Sequence, residues 1–129
     1  MKLFFDTNIL LDIALRRDPF VVSSQAIFTD AIERHQCFVS WHSVSNLAYI
    51  LGKVEEAALA LEFIRNIISV CRIAPVEHED MAVAFEHNAG DLEDAMQIAS
   101  ALSVEADRIV TRDNSGFTKS PIPIMSPNR

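Results

Sequence analysis

The sequence predicts an α/β fold, a three-layer αβα sandwich around a central parallel sheet of about four to five strands. Short apolar runs, such as "KLFF" at residues 2–5 and "RIVT" at 108–111, alternate with longer segments whose apolar residues recur at helical spacing. The short runs are continuously apolar, as in strands covered on both faces. The length of 129 residues fits a single domain over residues 1–129, enough to bury about two-thirds of the unfolded surface around one core.

The elements follow in order. After the first strand, residues 7 to about 17 carry Ile9, Leu10, Ile13 and Ala14 on one helical face. Asp18 as N-cap and Pro19 at the first helical position open a second helix through Ala26, Ile27 and Ile32 to about His35. "CFVSW", residues 37–41, reads as the second strand, and Ser40 or Ser43 caps a helix bearing Val44, Leu47, Ala48 and Leu51. Residues 54–68, rich in Ala, Leu and Glu, form the fourth helix and run into "SVCRIAPV", a strand stopped by Pro75. A helix over 77–87 is ended by "NAG", with Gly90 as its breaker. The next helix covers 91 to about 105, with Leu92, Ala95, Met96, Ala99 and Leu102 as its core stripe. Residues 108–111 form the fourth strand, and 122–125, punctuated by Pro121 and Pro123, a short edge strand. No internal repeat, linker or low-complexity tract interrupts this order.

Composition narrows the function. Half the residues are hydrophobic and only 3 are Gly, which describes a compact, helix-rich globule without a disordered tail. No run of about 18 apolar residues occurs, so no membrane span is expected. Asp6, Asn8 and Asp12 interrupt the opening apolar stretch and no small-residue cleavage site follows, which is unlike a secretory signal. Cys37 and Cys71 lie in apolar segments without metal-ligand spacing, and read as buried thiols of a cytoplasmic protein. A net charge of −7 argues against bulk electrostatic binding of nucleic acid, so any such contact is local.

The acids carry the chemistry. Asp6 stands between "LFF" and "ILL", where an unpaired carboxylate costs several kcal/mol to bury. In open parallel sheets ligands gather at the carboxyl ends of strands. Asp6 and Asp113 follow the first and fourth strands, and Asp91 and Asp94 open the helix that enters the fourth. Taken singly, Asp91 is an N-cap, Asp94 its capping-box partner and Asp113 a turn residue. Together the four can converge, with Asp91 and Asp94 on one helix face opposite the core stripe. Oxygen ligands without His or Cys suit Mg²⁺ or Mn²⁺, which would neutralise Asp6.

"FFDTNILLD", "SWHSVSNLAYIL" and "DLEDAMQIASALSVEADRIVTRDNSGF" followed by "IPIMSP" resemble the PIN domain over essentially the whole chain, and above all its small stand-alone bacterial and archaeal members, among them VapC-type toxins. The resemblance implies a Mg²⁺- or Mn²⁺-dependent ribonuclease, with water activated by the metal attacking the phosphodiester. It makes Asp6 the first metal ligand, Asp94 the acid of the "EDA" helix and Asp91 an accessory acid, with Thr7 or Asn8 orienting Asp6 and Thr111 supporting the site. It also implies a small antitoxin partner and a homodimer.

Two departures from the family pattern matter. Most members carry Glu where this chain has Asn46, which brings no charge, although one subgroup also reads "NL" there. Many relatives read "TRN" and then "DF", whereas here Gly116 stands at the later acid's place and Asp113 comes earlier. Arg112 and Lys119 are the candidates for phosphate contact; Arg16, Arg17 and Lys53 sit at helix ends, where they complement the dipole. Trp41, Tyr49 and Phe117 can stack unpaired bases, but lie in apolar runs and are expected in the core. His42, near the mouth, is left without a role.

A receiver-type domain would need an acid ending the middle strand, and a D-x-D phosphatase a second acid that "DTN" lacks. The remaining alternative is a PIN-fold module that binds RNA or a protein partner without cleaving.

Overall fold

The continuous apolar runs become the inner strands of a five-stranded, all-parallel sheet. Residues 1–87 and 91–127 are described by the structure, a computed structural model. The strands are β1 (Lys2–Phe5), β2 (Gln36–Val39), β3 (Arg72–Ile73), β4 (Arg108–Val110) and β5 (Ile124–Met125), in the spatial order β3-β2-β1-β4-β5. Strand β1 is central, with Leu3 opposite Cys37 of β2 and Phe4 opposite Ile109 of β4. Parallel neighbours require crossovers. Helices α1 (Thr7–Ala14) and α2 (Val21–Arg34) connect β1 to β2; α3 (Trp41–Val54) and α4 (Ala57–Val70) connect β2 to β3; α5 (His78–His87) and α6 (Leu92–Ser103) connect β3 to β4.

The pleat of β1 builds both cores. Leu3 and Phe5 join a cluster with Ile9, Leu10, Phe28, Leu47 and Leu51, while Phe4 points the other way into Phe38, Ile98, Ile109 and Phe117. Phe4 and Phe5 are fully buried, each worth about 1.5–3 kcal/mol in apolar transfer. Among the described residues, no helix is long and apolar enough to cross a membrane. Cys37 and Cys71 are free, buried thiols, as expected.

Several boundaries differ from expectation. Helix α1 stops at Ala14, and Arg16 takes a left-handed φ of 52° while the Arg17 N–H returns to the Asp12 carbonyl. Helix α2 starts at Val21, and Asp18 is not its N-cap: the Arg17 carbonyl accepts the Phe20 and Val21 N–H groups. Trp41 leaves the strand because Ser40 caps α3, its Oγ accepting the Ser43 N–H at 2.9 Å. Strand β3 is short because α4 continues to Val70, with the Cys71 N–H still bonded to the Ile67 carbonyl. The 3₁₀ turn at Ser115–Phe117 was not anticipated. Gly90, the expected breaker, lies outside the described residues.

Helix α6 has no single core stripe. It lies between the sheet and α5, so Ala95, Gln97, Ile98, Ala99, Ser100 and Ala101 are all buried, and Leu92 is exposed. Trp41 and Tyr49 are 68% and 64% exposed, contrary to the core expectation, whereas Phe117 is buried. Both stand on the outer side of α3, whose inward face is Ser43, Leu47 and Leu51. Tyr49 lies under the Lys53 ammonium, 4.6 Å from its ring centroid.

Asp12 is a second buried acid, and the fold answers it with arginine. Arg112 grips it by two bonds of 2.6 and 2.9 Å, Ser24 Oγ donates at 2.9 Å, and Arg17 Nε lies 3.2 Å away. The Arg112 guanidinium also stacks on Phe20 at 3.7 Å. This clasp joins α1, α2 and the segment after β4. Asp12→Ala leaves two guanidinium groups without their shared anion, and a loss of about 3 kcal/mol is expected in urea unfolding. A loss below about 1 kcal/mol would mean that water screens the cluster as it screens surface pairs.

Candidate active site

The end of β1, the N-termini of α3 and α6 and the turn after β4 meet at the carboxyl end of the sheet. Asp6 sits there as the N-cap of α1, only 8% exposed. Its Oδ1 accepts from the Thr7 N–H at 2.9 Å and from Gln97 Nε2 at 3.0 Å; its Oδ2 accepts from Thr111 Oγ1 at 2.9 Å and Asn8 Nδ2 at 3.3 Å. Neutral donors, not an arginine or lysine, therefore satisfy this carboxylate, and they occupy about all four of its lone-pair directions. Burial still outweighs them and pushes the Asp6 carboxyl above its ordinary range, with Asp113 adding repulsion.

Asp91 caps α6, its Oδ1 accepting the Glu93 and Asp94 N–H groups at 2.9 and 3.1 Å. Asp94 follows in the first turn, half-buried and not on a face turned away from the core. Its carboxyl is pushed up to about 7 by burial first, then by the Asp91 charge and a hydrogen bond to Asp91, and by the charges of Asp6 and Asp113. Asp94 thus stands within electrostatic reach of the other three expected acids.

Gly116 explains how Asp113 reaches them. An ideal Cβ at Gly116 would stand 2.5 Å from Asp94 Oδ2 and 2.6 Å from Asp113 Oδ2, both sub-contact distances. The two carboxylates face one another across space that any side chain at 116 would fill. Asp113 is held there by its own turn, Oδ1 accepting from Ser115 Oγ at 2.8 Å and the Gly116 N–H at 3.1 Å.

The remaining expected residues divide. Thr7, Asn8 and Thr111 all touch the Asp6 carboxylate. Asn46 is half-buried one turn beyond Ser43, and its amide makes no hydrogen bond among the described residues. Lys119 is exposed. Arg112 is not a free phosphate contact, because its guanidinium is committed to Asp12 and Phe20. His42 stands 3.3 Å from Glu93, next to Asp94.

Gln97 was missed. It is 2% exposed and bonded to Asp6, Ser40 and Ser43. Its signal was available: an amide inside the apolar run "AMQIASA", three residues after Asp94.

Among the described residues, no three acids, His or Cys stand close enough together to hold an ion as placed. The donor set nevertheless fits a hard divalent cation: Asp94 and Asp113 present oxygens across an open cradle, with excess negative charge and no basic partner among the described residues. Asp6 would join them by giving up its longest hydrogen bond, that of Asn8.

A family model described as the PIN domain matches residues 2–115, and the chain belongs to that family. Solved structures share the fold. VapBC2 from Rickettsia felis, bound to a DNA fragment from its promoter, matches at 15% identity and a TM-score of 0.77, with 98% of each chain covered. A toxin–antitoxin complex from Klebsiella pneumoniae matches at 20% identity and 0.75, with 97% of each covered. VapC20 from Mycobacterium tuberculosis, a sarcin–ricin loop cleaving toxin, matches at 15% identity and 0.72, with 88% of this chain and 92% of that one covered. No curated protein sequence matches the chain.

Raised carboxyl pKa values make stability depend on pH with a definite sign. Between the unfolded value near 3.8 and the folded value of about 7, the native state holds the Asp94 proton that the unfolded chain has lost, so stability falls as pH rises through that window. In the presence of a chelator, the melting temperature is therefore expected to fall between pH 5 and pH 8. Asp94→Asn is expected to flatten this dependence and to melt higher than wild type at pH 8; an unchanged slope would show that Asp94 ionises freely.

Proposed function

We propose that the chain is a ribonuclease that uses Mg²⁺ or Mn²⁺ and serves as the toxin of a toxin–antitoxin pair. The observation that carries this reading is the facing pair Asp94 and Asp113, beside buried Asp6, with the Asp94 carboxyl raised to about 7. PIN membership and the toxin–antitoxin structures among its fold neighbours support the class of activity and an antitoxin partner.

In this reading Asp6, Asp94 and Asp113 hold the cation, and Asp91 adds negative charge while it caps α6. A bound Mg²⁺ or Mn²⁺ supplies an activated water and stabilises charge on the phosphate. Thr7, Asn8 and Thr111 keep the Asp6 carboxylate in place from three sides. Asn46 offers a neutral amide at the rim where it can orient a ligand without adding charge. Lys119 meets the RNA backbone from the segment after Phe117, and the protein acts in the cytoplasm as a homodimer.

One observation favours the other reading, a PIN-fold module that binds RNA or a partner without cleaving: the Asp6 carboxylate is already fully hydrogen-bonded. Calorimetric titration with Mn²⁺ separates the two. A nuclease centre is expected to bind saturably, and Asp6→Asn or Asp94→Asn to abolish binding; no binding at millimolar Mn²⁺ would favour the module. Gly116→Ala should weaken Mn²⁺ binding about tenfold or more while the protein stays folded, the size seen when groups around a metal site are displaced. Unchanged affinity would mean that the Asp94–Asp113 cradle is not where the ion sits.

A further inference from the structure

Gln97 is the only buried side-chain amide among the described residues, and every polar atom it owns is engaged. Its Nε2 donates to Asp6 Oδ1 at 3.0 Å and to Ser43 Oγ at 3.0 Å, with Thr7 Oγ1 at 3.4 Å. Its Oε1 accepts from Ser40 Oγ at 2.5 Å. The Ser40 hydroxyl oxygen accepts the Ser43 N–H, and its one proton faces two acceptors, Gln97 Oε1 at 2.5 Å and Ser43 Oγ at 3.1 Å, of which the amide oxygen is much the nearer. Turning the amide over would set Oε1 against the Asp6 carboxylate, oxygen facing oxygen. An ionised Asp6 therefore selects this orientation of the amide.

Leu, Met or Ile would suit packing at this point of α6, which has Ile98 and Ala101 in the core beside it. A buried amide there needs another reason. Asp6 ends β1, Ser40 and Ser43 open α3, and Gln97 comes from the helix that carries Asp94. A single side chain thus ties three elements to one carboxylate oxygen.

We propose that Gln97 is a positioning residue: it fixes the Asp6 carboxylate relative to Asp94, so that the two acids present oxygens to one cation. This rests on the metal-dependent reading above. Groups that orient a metal ligand by hydrogen bonding typically change affinity by about 10–100-fold when removed. Gln97 is expected to behave this way toward Asp6, and its role is not confined to holding the fold together.

The test uses Mn²⁺ alone as probe, with affinity from calorimetry and melting temperature measured beside it for wild type, Gln97→Met and Gln97→Asn. Both variants are expected to bind Mn²⁺ about tenfold or more weakly at a concentration where circular dichroism shows them folded. A lower melting temperature with unchanged affinity would overturn the proposal and leave Gln97 a packing residue. Failure of the wild type itself to bind would overturn the metal reading, and this proposal with it. Should neither variant fold, a Mg²⁺ titration of the wild type followed by NMR decides: the Gln97 side-chain NH₂ signals are expected to shift in step with the Thr7 amide, which donates to the same oxygen. Gln97 signals that stay still while Thr7 moves would overturn it.

Discussion

The site is organised by the need to keep a carboxylate at the end of the central strand with no arginine or lysine among the described residues to pair with it. Asp6 cannot leave that place, because the run on either side of it supplies Phe4 and Phe5 to both cores and Ile9 and Leu10 to one of them. Four neutral donors therefore come to it, from α1, α6 and the end of β4. This demand locks the relative positions of the elements that carry Asp94 and Asp113. A scaffold built to satisfy one acid has gathered the others.

Asp12 shows the opposite solution a turn away. There the buried acid is neutralised by Arg112 and flanked by Arg17, and nothing about it invites a ligand. The two helices contrast: charge is cancelled at Asp12 on α1 and left standing around Asp94 on α6. Clustered, uncancelled carboxylates cost stability, and proteins retain such arrangements where chemistry uses them.

Much of this was legible beforehand. Alternating apolar runs and helical periods identified every strand and α-helix among the described residues, though not the 3₁₀ turn, because covered parallel strands and amphipathic helices differ in period and length. The boundaries were less legible where backbone groups took over a role expected of a side chain. The Arg17 carbonyl replaced Asp18 at the start of α2, and α4 ran on into residues that read equally well as strand. Trp41 and Tyr49 misled because apolar character reports on sequence neighbours, whereas exposure depends on which way a helix is turned.

By itself, the sequence determined the parallel α/β architecture, the PIN resemblance and the four acids at strand ends and helix starts, all of which follow from local pattern and spacing. Tertiary structure alone decided how Asp6 is satisfied, that Arg112 serves Asp12, that Gln97 joins three elements, and that a missing side chain at Gly116 lets Asp113 face Asp94. The physical reason is range. Periodicity and capping act over a few residues, while the contacts of Thr111 with Asp6 and of Arg112 with Asp12 join positions 105 and 100 residues apart, whose meeting depends on the register of β1 against β4.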